Sequence, residues 1–291
     1  MTEYGQARVV AGRLVDEVRH YGRTLVAFSG GVDSSVVLAA AVRALGAGQV
    51  AAVTAASASL PAAELEAARR FCAELGTAHH VVATDELAVA GYRDNGADRC
   101  YFCKSTLLDA ALGLAAEHAF ASVATGTNAS DVVAGFRPGI RAAAQRGART
   151  PLADAGLDKQ AVRAVARLWQ LRTWDKPAAA CLSSRIAYGI AITPARLARV
   201  ERAEVAARDR LRGHNVRDLR VRDLGDTVRL EVDAELVALA RADESLHEAI
   251  RAAGFAGLPV VVEAFRSGSL NELLPATQHP GSAGSRRPAS R

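Results

Sequence analysis

Cysteine is scarce in this chain. Four residues in 291, at Cys72, Cys100, Cys103 and Cys181, are too few and too unevenly spread for the disulfide framework of a small secreted domain, so a reducing compartment is expected. Long apolar runs are missing too. None reaches the roughly eighteen residues that a membrane-spanning helix requires, and the N-terminal segment carries acids where a signal peptide would be uninterrupted and apolar. A cytoplasmic location and no membrane partner are therefore expected. Aromatic residues make up only 5% of the chain, an economy that suits alanine-rich helices lying close on a sheet but says nothing about chemistry. No sign of charge dominates: of the net +5, three units belong to Arg286, Arg287 and Arg291, in a final stretch of sixteen residues without an acid. So small a surplus outside that stretch leaves no nucleic-acid footprint, because binding depends on clustering rather than on a total.

With 50% hydrophobic and 23% charged residues, the chain has the balance of an ordinary globular protein, and its length predicts one large or two modest domains. Residues 7–20 repeat apolar positions at helical spacing, and Thr24 to Phe28 then form a short apolar run ending at Ser29-Gly30-Gly31. SSVVLAAAVRALGAG reads as a helix, QVAAVTAA as a buried strand, LPAAELEAARRFCAELG as a helix, HHVVAT as a strand, CKSTLLDAALGLAAEHA as a helix and FASVATG as a strand. This alternation predicts a doubly wound α/β domain with a parallel sheet over residues 1–180. After the joint WDKPAAAC the composition shifts toward Arg, Asp and Glu. A helix at 194–212, strands in VRDLRVRDL and TVRLEVD, a helix around 234–253 and a last strand in LPVVVEAF predict a smaller α+β domain over residues 181–273. Residues 274–291 have neither periodicity nor apolar content and are expected to be a disordered tail.

The most specific signal is LVAFSGGVDSS, at the first strand-to-helix turn. Gly30 and Gly31 allow close backbone approach to an anion, Ser29, Ser34 and Ser35 add hydroxyls, and the new helix presents unpaired N–H groups and its positive end. Phosphate is the expected guest. The lysine of a GxxxxGK[ST] loop is absent, as is GxGxxG, which excludes an ordinary kinase or GTPase loop and a dinucleotide fingerprint. Asp33 would repel phosphates unless Mg²⁺ bridges them, which makes it a candidate metal-side residue. A glycine-serine turn with a purely structural role is the alternative.

Gly126 to Gly139, GTNASDVVAGFRPG, follows another strand, where open α/β sheets place ligands. It reads either as a simple turn or as a site in which Asp131 serves Mg²⁺ and Arg137 holds a phosphate or carboxylate. The adenine is expected near the end of the second strand, around Thr54 to Ser57. Cys100 and Cys103 have the x₂ spacing of a metal, redox or iron–sulfur pair, and also suit small hydrophobes in a core. Cys181 lies in a loop-like segment; three thiolates could hold a [4Fe–4S] cluster with one iron open, while zinc would want a fourth ligand. Cys72, among packing residues of a helix, reads as core. Arg220 and Arg222 are two apart and share a strand face, either solvated or clamping a phosphate.

SGGVDSS after a strand and before a helix resembles the pyrophosphate-binding loop of the ATP pyrophosphatase (PP-loop) superfamily, whose members adenylylate an acceptor oxygen and release pyrophosphate. Taken with RCYFCKSTL, GTNASD, WDKPAAACLSSRIAYGIAIT and FRSGSLN, it resembles the LarE family over roughly residues 15–273. The resemblance implies a PP-loop α/β domain followed by a smaller α+β domain, ATP with Mg²⁺, and sulfur transfer to the pyridinium dicarboxylate mononucleotide precursor of the nickel-pincer nucleotide cofactor. It also implies a homo-oligomer, up to a hexamer, and a protein that donates sulfide. The family has two sulfur sources: a sacrificial cysteine, whose position falls near Ala180, and a [4Fe–4S] cluster on three cysteines, which Cys100, Cys103 and Cys181 match. By the same resemblance Arg185 lies beside the cysteine, Arg220 and Arg222 match an arginine pair at the acceptor phosphate, and Glu204 matches an acidic residue near the site.

Three other readings remain at this level: a PP-loop thiolase acting on RNA, an amidotransferase, and a nucleotide-binding scaffold without turnover. Residues 182–273 show no RNA-binding module or dense basic patch, and the length leaves no room for an ammonia-generating domain.

Overall fold

The computed structural model describes residues 2–133, 138–177, 180–266 and 268–270. They divide into two compact units, one of residues 2–86 and 100–177, the other of residues 87–99 and 180–270. Arg137 and the expected tail at 274–291 lie outside the described residues.

The first unit is an α/β layer structure. Its elements run α1 (Glu3–Val18), β1 (Thr24–Ala27), α2 (Val32–Leu45), β2 (Val50–Ala56), α3 (Ala62–Glu74) and β3 (Ala78–Ala83); after the excursion to the second unit, which carries α4 (Ala90–Arg93), come α5 (Arg99–Glu117), β4 (Ser122–Ala124), α6 (Ala129–Val133), α7 (Pro138–Gln145), α8 (Pro151–Asp154) and α9 (Lys159–Leu168). The four strands form an all-parallel sheet in the order β3-β2-β1-β4. Strand side chains alternate between faces. Val26 and Ala52 therefore join α1, α2 and α9 in one core, while Leu25, Ala51 and Val53 join Leu108, Ala111 and Ala115 of α5 in another. Burial on both faces explains why β1 is apolar without alternation. Cys72 belongs to the first core, and burial pushes its thiol up to about 12, in keeping with a packing role.

Strand order decides where a ligand can enter. The chain moves outward from β1 to β2 to β3 and then returns to β4 on the other side of β1, so the loops after β1 and β4 diverge at a topological switch point, the crevice where open α/β sheets bind ligands. The loop after β1 holds Ser29 to Gly31, and the loop after β4 holds Gly126 to Asn128.

The second unit contains α4, then α10 (Pro194–Arg210), β5 (Leu219–Asp223), β6 (Val228–Val232), α11 (Val237–Ala242), α12 (Glu244–Ile250) and β7 (Val260–Ala264). Its sheet is mixed, with β5 antiparallel and β7 parallel to the central β6. Thr193 caps α10 by accepting from the Arg196 N–H at 3.2 Å, and Pro194 occupies the first turn, where no N–H is needed. The single helix expected around 234–253 is interrupted: Asp243 accepts from the Leu246 N–H at 3.1 Å and starts α12 afresh. Residues 87–99, which the sequence reading kept in the first domain, group with this unit because Asn95 staples them there. Fully buried and with a φ of 54°, Asn95 donates through Nδ2 to the carbonyls of Ala187 at 2.8 Å and Ile190 at 2.9 Å.

One glycine shows how tightly the switch point is built. A Cβ on Gly126 would lie 2.8 Å from the Ser34 nitrogen and 3.1 Å from the Asp33 carbonyl carbon, both main-chain atoms at the start of α2. Gly126→Ala should therefore cost about 1–3 kcal/mol. Gly113→Ala, on an open face of α5 with nothing within 4 Å, should stabilise by about 0.4–1 kcal/mol. Urea unfolding of the two variants checks the contrast; equal effects would mean that the loops do not pack as described.

Candidate functional site

β1 ends against its neighbour through the Phe28 N–H, which donates to the Val53 carbonyl at 2.8 Å. The chain then turns through Gly30, whose φ of 71° suits a residue without a side chain, and enters α2 at Gly31. No side chain caps this helix, so the N–H groups of its first turn lack intrahelical acceptors and point outward with the positive end of the helix dipole. The serines shape the loop: the Ser34 and Ser35 hydroxyls donate to the Gly31 carbonyl at 3.1 and 2.9 Å, and the Ser29 and Ser34 hydroxyls are 3.1 Å apart. A preformed anion cradle results.

A cleft of about 290 Å³ opens over this turn. Phe28, Ser29, Asp33 and Ser34 line one side; Thr54, Ala55 and Leu60, at and beyond the end of β2, line another; Gly126, Thr127 and Asp131 close it from the loop after β4. Thr54 donates to the Phe28 carbonyl at 2.7 Å and meets the His79 Nε2 at 2.8 Å, so its hydroxyl is engaged in holding β1, β2 and β3 together at the cleft. The segments read from the sequence as phosphate loop, adenine edge and second loop thus meet in one cleft of one unit.

Asp33 and Asp131 bring two carboxylates to it. The Asn128 amide donates to Asp33 Oδ1 at 3.0 Å, and the Asn128 Oδ1 accepts from the Asp131 N–H at 3.0 Å, so one asparagine orients both. Burial pushes the Asp33 carboxyl above the usual carboxylate range, and the charge of Asp131 adds to the rise, against the Asn128 hydrogen bond. Two acids disposed in this way fit a divalent cation such as Mg²⁺, which takes one or two carboxylates, retains water and accepts the remaining ligands from phosphate oxygens. Sequence reasoning missed the cation on the opposite wall. Lys104 of α5 lines the cleft, and burial pushes its ammonium below the ordinary lysine range while Cys103 opposes the shift. The lysine absent from the loop thus comes from a helix remote in sequence, and its only signal was its place inside RCYFCKSTL.

Helix α5 begins at Arg99, ahead of the expected start, so Cys100 and Cys103 lie within its first turns at positions i and i+3 of one face. Cys100 is exposed and Cys103 half-buried; neither is in a disulfide, nor is Cys181 in the second unit. Among the described residues, no group of three or more His, Cys, Asp or Glu side chains is gathered as a metal centre.

In the second unit Cys181 precedes a 3₁₀ turn, Leu182–Arg185, and its carbonyl accepts from the Ser184 hydroxyl at 2.7 Å and from Arg185 at 3.0 Å. Arg185 also reaches the Ala180 carbonyl and, through Nε, Glu204 at 2.9 Å. Glu204 accepts in addition from the Val221 N–H at 3.2 Å, inside the structure beside β5. Arg220 and Arg222 do share a strand face, but both are buried rather than solvated. Arg222 grips Glu231 at 2.7 and 3.0 Å and the Ser184 carbonyl at 3.0 Å, while Arg220 stacks on Phe265 and donates to the Leu219 carbonyl at 2.7 Å. Burial and the nearby charge of Arg185 pull the Arg220 guanidinium down from its ordinary value. Three buried guanidiniums, Arg185, Arg220 and Arg222, are thus gathered with the carboxylates of Glu204 and Glu231, and the charge of Asp218 also acts on Arg220.

Among the described residues no helix is long and apolar enough to cross a membrane. The asparagine synthase family model matches residues 8–95, which include the phosphate loop and β1 to β3. An uncharacterized protein of Synechocystis, slr1717, is 42% identical over 255 residues, 87% of this chain and 93% of that protein. The pyridinium-3,5-bisthiocarboxylic acid mononucleotide synthase of Lactiplantibacillus plantarum is 32% identical over 266 residues, 91% of this chain and 95% of the synthase. A third relative, MJ0830 of Methanocaldococcus jannaschii, is 25% identical over 173 residues, 60% of this chain and 66% of that protein. Similarity to the synthase across nearly its whole length extends through both units and past the nucleotide loop, and the chain belongs to the LarE family of PP-loop ATP-binding enzymes.

Proposed function

We propose that the chain is an ATP-dependent sulfurtransferase that converts a carboxylate of a pyridinium dicarboxylate mononucleotide into a thiocarboxylate. The observation that carries this is the cleft over the first turn of α2, where orphan N–H groups, Asp33, Asp131 and Lys104 surround one space in a chain similar along its length to a bisthiocarboxylate mononucleotide synthase. A substrate carboxylate oxygen attacks the α-phosphorus of ATP, the bond to the bridging oxygen breaks, and pyrophosphate leaves. A sulfur nucleophile then adds to the activated carbonyl, and AMP departs with the original carboxylate oxygen. The protein's part in the first step is electrostatic: charge grows on pyrophosphate, and the N–H groups of the α2 turn and Lys104 are oriented before it appears. Asp33 and Asp131 would hold Mg²⁺, which supplies charge neutralisation on the phosphates. Gly31, Ser29 and Ser34 shape the phosphate cradle, and Thr54 borders the nucleoside end.

Arg220 and Arg222, two guanidiniums on one strand face, are proposed to receive the phosphate of the mononucleotide, with Arg185 near Arg220 adding to the local positive charge. For the sulfur, Cys100, Cys103 and Cys181 are proposed to hold a [4Fe–4S] cluster, which when bound supplies an open iron site for a transferable sulfide. Cys100 and Cys103 lie at positions i and i+3 of α5, on one helical face.

Three outcomes are expected. Pyrophosphate should form only when ATP, Mg²⁺ and the mononucleotide are all present, and Asp33→Asn or Lys104→Met should slow its release about 100-fold or more without loss of fold; no consumption of ATP or mononucleotide by the native chain would overturn the reading. Arg220→Met should raise the KM for the mononucleotide about tenfold while leaving that for ATP within about twofold. Anaerobic reconstitution with iron and sulfide should load about four irons per chain, lost in Cys181→Ala. Absence of iron, with conversion of Cys181 to dehydroalanine on turnover, would instead establish a sacrificial thiol.

A further inference from the structure

Lys176 has no role in the proposed function, yet its Nζ donates to the Gly30 carbonyl at 3.0 Å and to Glu64 Oε2 at 2.6 Å. Both side chains of the ion pair are largely sheltered, at 22% and 25% exposure, which removes it from the class of solvated surface pairs that contribute little. The lysine is delivered from an anchored segment. Arg163 of α9 donates to the Trp174 carbonyl at 3.0 Å and to the Lys176 carbonyl at 3.1 Å, and the Lys176 N–H donates to the Thr173 carbonyl at 3.1 Å. Glu64 comes from α3, so the Gly30 carbonyl is held by a cation fixed from two separate elements.

What that hold does follows from peptide geometry. The Gly30–Gly31 peptide is planar and trans, with its N–H antiparallel to its C=O. Fixing the Gly30 carbonyl on Lys176 therefore fixes the Gly31 N–H on the opposite side, where its neighbour is the Ser29 hydroxyl at 3.4 Å and the phosphate cradle. Without a side chain on either residue, little steric cost opposes a peptide flip. The flipped peptide would aim a carbonyl oxygen, the wrong sign of charge, at phosphates.

We infer that Lys176 is a positioning residue that locks the Gly30–Gly31 peptide in its anion-binding orientation, with Glu64 as its anchor. This rests on the nucleotide reading of the loop and adds a group that acts before any ligand arrives. The test uses the full chain as wild type, Lys176→Met, Lys176→Arg and Glu64→Gln. Titrations with Mg²⁺-pyrophosphate and separately with AMP are combined with NMR spectra of ¹⁵N-glycine-labelled, ligand-free protein. In Lys176→Met, pyrophosphate should bind about tenfold more weakly and AMP within about twofold, Lys176→Arg should recover most of the loss, and the Gly31 amide should broaden by exchange before ligand is added. Unchanged pyrophosphate binding, equal loss of AMP and pyrophosphate, or weaker pyrophosphate binding with an unmoved ligand-free glycine spectrum would each overturn the inference; the last would make Lys176 a direct phosphate contact. If Lys176→Met does not fold, Glu64→Gln decides: it weakens the anchor, and should broaden the Gly31 amide in ligand-free protein and weaken pyrophosphate binding while leaving AMP within about twofold, whereas an unmoved Gly31 amide with unchanged pyrophosphate binding rejects the lock. Failure of the wild type to bind pyrophosphate would remove the nucleotide reading itself, and this inference with it.

Discussion

The uncapped first turn of α2, placed at the end of a strand buried on both faces, is the constraint around which the first unit is arranged. Its N–H groups cannot be satisfied within the helix, and the residues that could have capped them are instead folded back: Ser34 and Ser35 donate to the Gly31 carbonyl. The unmet donors face a cleft. Every neighbouring feature either protects that geometry or balances its charge. Gly126 permits the loop after β4 to pass against the Ser34 nitrogen, Lys176 holds the preceding carbonyl, and Asn128 orients the two acids. Changing any one of these alters where charge points rather than how much apolar area is buried.

The second unit handles charge in a different way. Its buried arginines are not loose cations waiting for an anion: Arg222 is spent on Glu231, Arg185 on Glu204, and Asp223 accepts from both Arg196 and Arg199. Such pairs cost desolvation, which good geometry and further hydrogen bonds must offset. Arg220 is stacked on Phe265 and pulled down by burial and by Arg185. Charge in the first unit is set by oriented backbone, and in the second by ionised side chains.

Much of the architecture was legible in the chain. The buried TLVA run, the glycine-serine turn and the repeat of strand and helix patterns imply a parallel sheet with a nucleotide loop, and three short strand-like runs imply the small α+β unit, whose mixed strand directions only the structure decides. Local signals failed where competing interactions decided. The long helix expected around 234–253 is divided because Asp243 is a better cap than an interior residue, and residues 87–99 leave the first domain because a buried asparagine has carbonyls to satisfy elsewhere. The start of α5 at Arg99 likewise converts an x₂ cysteine spacing from a loop pattern into a pair on one helical face.

The sequence by itself determined the phosphate loop, because a strand, two glycines, an acid and three serines within eleven residues constrain their own local geometry. It also determined that Arg220 and Arg222 share a face, through the two-residue period of a strand. Only the tertiary structure decided which distant groups complete these local pieces. Lys104 enters the cleft from α5 and Lys176 reaches Gly30 across 146 positions of chain. No periodicity records such meetings, since they follow from strand order and helix packing. The same is true of Arg222, which bonds Glu231 diagonally although the register sets Glu231 opposite Arg220. Residue type and spacing define what a segment can offer; the packing of segments far apart in sequence determines which offers are taken up.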